Sequence, residues 1–196
     1  MSLRGSLIPS LLLALSSQAF PQMVSFGAKA GVPLTSAYQI QFVADGGASS
    51  YEYRVTVGPT VELRLHRHLS FEVDALWRRS SFSAGGAHFD IGSSVNDWQF
   101  PVLFKYSIKS HGISPFIDAG GVYRHVSTLS PSVQPPNNPS TAGLTAGAGI
   151  TLRLLRLRLS PEIRYTWWSN QAFVTGNYFG VATKSNQADL LIGLTF

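Results

Sequence analysis

The sequence predicts an all-β fold: an eight-stranded antiparallel up-and-down transmembrane β-barrel, preceded by a cleavable signal peptide. Three observations carry that expectation. Apolar and polar residues alternate with period two over stretches of about ten residues. Charges fall on one of the two faces this creates, and the connections between stretches alternate between long and short.

Composition sets the outer bounds. The 196 residues include 13% charged and 12% aromatic side chains, 18 glycines and no cysteine. Soluble domains carry about 25% charged residues, so much of this exterior is expected not to face water. Without cysteine the chain has no disulfides, no lipoprotein anchor and no thiolate metal site. Residues 1–19 read as a signal peptide. Arg4 supplies the positive start, Leu7 to Leu15 form an apolar core interrupted by Pro9, and Ser17-Gln18-Ala19 gives a small-x-small cleavage site, with Gln22 as the next candidate. That apolar run is roughly half the ~20 residues a membrane helix needs. Residues 20–196 are left for the barrel. Cleavage removes Arg4 and lowers the formal charge from +5 to +4. The remaining basic residues are spread singly along strands, and no nucleic-acid motif or partner is expected.

The strands are expected at 24–32, 52–65, 69–79, 97–108, 113–126, 142–153, 157–168 and 187–196. Residues 66–68, 109–112 and 154–156 read as tight turns. Residues 33–51, 80–96, 127–141 and 169–186, rich in Ser, Gly, Asn and Pro, read as long loops. Strict alternation of long and short is what an up-and-down barrel with both termini on one side requires. In the second strand Val55, Val57, Val61, Leu63 and Leu65 alternate with Arg54, Thr56, Thr60, Glu62 and Arg64; in the seventh, Leu159, Ile163, Tyr165 and Trp167 alternate with Arg158, Glu162, Arg164 and Trp168. An unpaired charge on a lipid face costs roughly 2–4 kcal/mol at the bilayer midplane, which gives the segregation a physical cause. A soluble sandwich or lipocalin-type barrel also alternates. It uses strands averaging 5–6 residues, however, where a tilted bilayer crossing needs 9–11.

The charged face is expected to form the interior network: Arg54, Glu62, Arg64, Glu72, Asp74, Arg78, Lys105, Asp118, Arg124, Arg153, Arg158, Glu162, Arg164 and Asp189, with Lys29 from the first strand. An eight-stranded barrel has just enough interior for side chains to fill it, and buried charges persist only when paired. A plug of ion pairs is therefore expected, with a narrow channel along the same column as the alternative. Glu72 and Asp74 lie two apart on one face, a spacing that any polar interior produces without acid–base chemistry. Trp77, Trp98 and Trp167 sit toward the long loops, and Tyr106 and Phe196 toward the turns. With Tyr165 they are expected to form aromatic girdles.

No catalytic residue, metal or cofactor is assigned. His66-Arg67-His68 lies in a turn with no third ligand near in sequence, His111 lies in another turn, and His88 lies alone in a loop. His125-Val126-Ser127 resembles the His-x-Ser pair of the outer-membrane lipid A deacylases. That likeness implies Ser127 as nucleophile and His125 as base of a lipid A-modifying hydrolase. The chain departs from that pattern: Thr128 stands where an Asn follows the Ser, and no acid on the next strand orients the His, only Asn137 and Asn138 in a loop.

Residues 24–196 resemble the small bacterial outer-membrane β-barrel domain family, related to porin-like and OmpA-like eight-stranded barrels. The likeness rests on strand texture such as Pro115-Phe116-Ile117-Asp118-Ala119-Gly120-Gly121-Val122-Tyr123-Arg124 and Trp98-Gln99-Phe100-Pro101-Val102-Leu103. It implies a Gram-negative outer-membrane location, contact with membrane lipid and lipopolysaccharide, and a monomer. It also implies that Leu190, Ile192, Leu194 and the terminal Phe196 are read as an insertion signal by the barrel-assembly machinery. No peptidoglycan-binding domain is expected to follow, since the chain stops at the last strand. The expected role is non-enzymatic, carried by four extracellular loops in adhesion, surface interaction or envelope integrity, with Tyr38, Phe42 and Tyr51 in the first loop and Phe173, Tyr178 and Phe179 in the fourth.

Overall fold

Among the described residues thirteen strands follow one another along the chain. The computed structural model describes residues 23–36, 38–42, 48–51, 55–86, 89–108, 112–128, 139–154, 157–170, 173–175 and 179–196. The signal segment, Arg54, His88, His111, Asn137, Asn138 and Tyr178 lie outside them, as do the side chains of the other loop aromatics named above.

Eight staves build the wall. They are β1 (Val24–Pro33), β4 (Thr56–Arg64), β5 (Leu69–Asp74) continued by β6 (Leu76–Gly86), β7 (Phe89–Ser107), β8 (Ile113–Thr128), β9 (Ser140–Leu154), β10 (Leu157–Trp168) and β13 (Asn186–Thr195). Each pairs antiparallel with its neighbours. β1 pairs with β4 on one side (Val24↔Leu63 to Gly31↔Thr56) and with β13 on the other (Gly27↔Thr195 to Pro33↔Asp189), so the cylinder is sealed and has no free edge. At the short-turn end Arg64 N donates to Met23 O and Phe196 N to Phe26 O, which brings both ends of the barrel chain to the same rim.

The third stave is split at Ala75 for a local reason. Pro59 stands opposite it and has no N–H. Ala75 N donates to Pro59 O at 3.0 Å, and nothing returns from the proline. Gly58 allows the close approach there, since a Cβ on it would lie 1.8 Å from Ala75 O. Pro101 in β7 and Pro161 in β10 remove rungs in the same way, and the ladders resume in register beyond them.

The burial is inverted relative to a soluble protein. Among the described residues, seven apolar side chains are buried against 22 polar or charged ones. Most of the described valines, isoleucines and leucines point outward instead, Ile163 at 58% exposure and Ile117 at 62%. The pleat alone produces this alternation.

Residues 80–96 depart from the expected loop. β6 and β7 stay paired from Leu76↔Gln99 up to Gly86↔Phe89. β7 has 19 residues, roughly 60 Å at about 3.4 Å per residue, so the hairpin stands well above any bilayer crossing. Other expected loops also hold strands. β3 (Ala48–Tyr51) pairs with β6, while β2 (Tyr38–Phe42), β12 (Phe179–Thr183) and β11 (Phe173–Thr175) form a separate three-stranded sheet that joins the first loop to the fourth.

Candidate functional site

The centre of the lumen is filled by a charge cluster drawn from four staves, two of them (β5 and β10) on opposite sides of the ring. Glu72 and Asp74 project from β5, Glu162 and Arg164 from β10, Lys29 from β1 and Lys105 from β7, all buried. Lys29 Nζ donates to Glu72 and Glu162, the latter at 3.0 Å, and lies 3.3 Å from Asp74. Arg164 donates to Glu162 Oε1 at 2.6 Å and to Asp74 Oδ2 at 2.8 Å, with Glu72 Oε1 at 3.4 Å. Lys105 Nζ holds the second oxygen of Glu72 at 3.0 Å and rests 4.0 Å above the Phe116 ring. Thr60 Oγ1 donates to Asp74 at 2.6 Å. Three carboxylates thus meet three cations at close range. That mutual pairing is the condition for keeping ions out of water.

Toward the long loops a second layer follows. Arg78 donates to Asp189 at 2.6 Å and to Thr56 at 2.9 Å. Arg124, fully buried, donates to Thr141 and lies 4.1 Å over the Trp168 ring. Asp97, also fully buried, accepts from Gln99 at 3.1 Å. Toward the short turns Glu62, Arg64 and Arg158 are half-buried, with Arg158 Nη1 3.7 Å and Lys105 Nζ 3.9 Å from Glu62.

Two expectations about the interior are corrected. Arg153 is not within the buried network. It is exposed where β9 runs out at the turn rim, because the wall ends there and solvent reaches the side chain. Asp118 is buried, but neither of its oxygens has a hydrogen-bond partner among the described residues. The cations that could reach it are already turned to Glu72, Asp74 and Glu162.

Residues 16–169 match the family described as outer membrane protein beta-barrel domain. The chain belongs to that family. This outer membrane barrel is also similar in fold to OprG from Pseudomonas aeruginosa (TM-score 0.63, 14% identity, covering 88% of this chain and 93% of that one). It is similar to Neisserial surface protein A (TM-score 0.54, 13% identity, 88% and 95% covered) and to the outer membrane protein AlkL (TM-score 0.53, 12% identity, 89% and 90% covered). No curated protein matches the sequence. The protein is thus a bacterial outer-membrane β-barrel. Its outward valines and leucines face acyl chains, and its short turns lie on the periplasmic side.

The outer surface of the barrel carries the remaining site residues. Trp77 pairs across strands with Trp98, and Trp98 with His125, which sets them in one row near the long-loop end. Trp98 stacks on Phe100 at 6.2 Å. Tyr165 and Trp167 are exposed on β10, and Tyr106 near the turns lies 5.9 Å from His68. Leu190, Ile192 and Leu194 all point outward from β13, and Phe196, just after it, is 70% exposed.

His125 does not engage Ser127. Its Nδ1 lies 3.1 Å from Ser140 Oγ, which also accepts from the Tyr123 hydroxyl at 2.8 Å. Ser140 is the register partner of His125 on β9, so the cross-strand neighbour takes the bond that the i+2 spacing had suggested for Ser127. Among the described residues no group of three His, Asp or Glu could hold a metal ion.

The sequence places Lys29 on the inward face without marking it as the centre of the cluster, and Asp97 is an interior charge beyond the expected set. The signal for Asp97 was its parity with Gln99 on β7. Lys29 gave no local signal of its centrality, because its three carboxylates come from β5 and β10.

Proposed function

We propose that this outer membrane barrel is non-enzymatic, that its lumen is closed by ion pairs, and that its work is carried by the extracellular loops in surface interaction. The observation that carries the reading is the Lys29–Glu72–Asp74–Glu162–Arg164 cluster, which ties β5 to β10 across the cylinder and fills the space a water path would need. Strand pairing between the first and fourth loops (β2 with β12), and of the first loop along the β6–β7 hairpin, supports an organised outer platform. On this reading the barrel is monomeric and contacts lipopolysaccharide through its outer leaflet rim. Trp77, Trp98, Tyr165 and Trp167 anchor the outer interface and Tyr106 the inner one, as expected of residues with an apolar body and a polar edge, and the apolar ring of Phe196 joins Tyr106 at the inner rim. Leu190, Ile192, Leu194 and Phe196 serve as the segment read by the assembly machinery after export and removal of residues 1–19.

The test is planar-bilayer recording on protein whose folded state is verified by heat-modifiable gel migration. A silent bilayer is the expected result. Discrete, reproducible conductance steps would overturn the closed lumen and favour a narrow channel. Lipid A acylation unchanged by Ser127→Ala, Ser140→Ala and His125→Ala is expected in the same strain background, and loss of an acyl chain that depends on any of them would make the barrel an enzyme.

A further inference from the structure

At the periplasmic mouth a partly enclosed cavity of about 40 Å³ lies beneath the central cluster. That is room for roughly three waters, or for one small tetrahedral anion. Among the described residues five cations line it, Arg64, Arg67, Lys105, Arg153 and Arg158, against one carboxylate, Glu62. Glu62 is shared already between Arg158 and Lys105. This imbalance contrasts with the central cluster, where charges of both signs are matched closely.

A second, independent feature points to a ligand. Ser114, only 4% exposed, is on the cavity wall, and its hydroxyl has no hydrogen-bond partner among the described residues. A buried polar group without a partner calls for an explanation. Ser70, Ser107 and Thr151 add further hydroxyls on the same wall. Several guanidinium forks and neutral hydroxyl donors around one small space suit an oxyanion such as phosphate, which offers several acceptor oxygens at once.

We infer that this vestibule is an oxyanion site open to the periplasm, which takes a phosphate group, either as free inorganic phosphate or as the phosphate of a lipid headgroup from the inner leaflet. The guanidinium groups at the rim, Arg153 and Arg67, meet the anion first. Arg158 and the Ser114 hydroxyl hold it at the floor, with Glu62 kept on the Lys105 side. Binding relieves the mutual repulsion of the cations and gives Ser114 its acceptor.

The experiment is a calorimetric titration of inorganic phosphate into the refolded full chain in zwitterionic detergent at low, constant ionic strength, with chloride as the control anion. Saturable one-site binding is expected. Arg153→Gln should weaken it about tenfold and Ser114→Ala about threefold. Lys184→Gln, at the opposite end of the barrel, should leave it unchanged. Heat-modifiable migration of each variant separates a lost site from a lost fold. Repeating the titration in nanodiscs of phosphatidylcholine with and without phosphatidic acid identifies the source. Apparent phosphate affinity that falls when phosphatidic acid is present marks a headgroup site, and unchanged affinity marks a site for the free ion. No saturable binding, or equal binding by wild type, Arg153→Gln and Ser114→Ala, would overturn the proposal and leave a solvated cluster of arginines.

Discussion

Arg164 on β10 and Asp74 on β5 stand on staves that face each other across the barrel, four places apart in the ring of eight, and their side chains meet at 2.8 Å. A direct ion pair between opposing walls crosses the lumen at that height. The same guanidinium also holds Glu162 and Glu72, so one side chain braces three carboxylates. Removing one partner of a buried ion network costs about 3–5 kcal/mol, because the others remain charged and out of water. Arg164→Met is therefore expected to lower unfolding free energy by that order in urea titrations of the vesicle-inserted barrel. Arg164→Lys, which keeps the charge but loses the fork, should lie between it and wild type. Equal stability of Arg164→Met and wild type would mean that the bridge contributes nothing.

The lipid face makes an opposite demand. Ile163 points outward midway along β10, and Leu154 points outward at the turn rim. Arginine at a midplane position costs roughly 2–4 kcal/mol and near an interface about 0–1 kcal/mol. Ile163→Arg should thus destabilise the folded barrel in bilayers far more than Leu154→Arg does, measured by denaturant titration in the same vesicles. Equal effects would place the bilayer elsewhere on the cylinder.

Gly58 tests the split stave. A methyl there would press on Ala75 O, a backbone atom that cannot swing aside. Overpacking of this kind costs typically 1–3 kcal/mol, and Gly58→Ala is expected to fall in that range by the same titration. Gly121, whose added Cβ meets nothing within 4 Å, should accept alanine within about 0.5 kcal/mol. A ranking in the reverse order would show that the close approach at Ala75 relaxes freely.

Phe196 follows β13 with its ring exposed and its N–H bonded to Phe26 O. If its role is recognition during assembly, Phe196→Ala leaves spontaneous refolding into detergent intact, keeps the backbone bond, and reduces the heat-modifiable form in cells severalfold. Parallel loss in detergent and in cells would assign the ring to stability instead.

Much of this protein was legible from residues 24–196 read two at a time. The outward and inward sets of β4, β7, β10 and β13 were visible in advance, because strand pleating alternates side chains locally and hydrocarbon excludes unpaired charge. The same reading failed over residues 80–96. Ser80-Ser81-Phe82-Ser83-Ala84-Gly85-Gly86 carries no apolar–polar alternation to read, although its backbone is fully paired. His125 showed a second failure of the same kind: its partner was a matter of register between β8 and β9, not of spacing along β8.

By itself, then, the amino-acid order determined that the chain closes into a membrane barrel with its ions inside and its aliphatic residues outside, since those choices depend on each strand's own period and on the solvent it meets. Only the tertiary structure decided which ions meet. Lys29 reaches Glu162 across 133 positions, Arg78 reaches Asp189 across 111, and Arg164 reaches Asp74 across 90. Those encounters depend on the stagger between neighbouring staves and on which walls come to face each other when the sheet closes, and neither is encoded in any one strand.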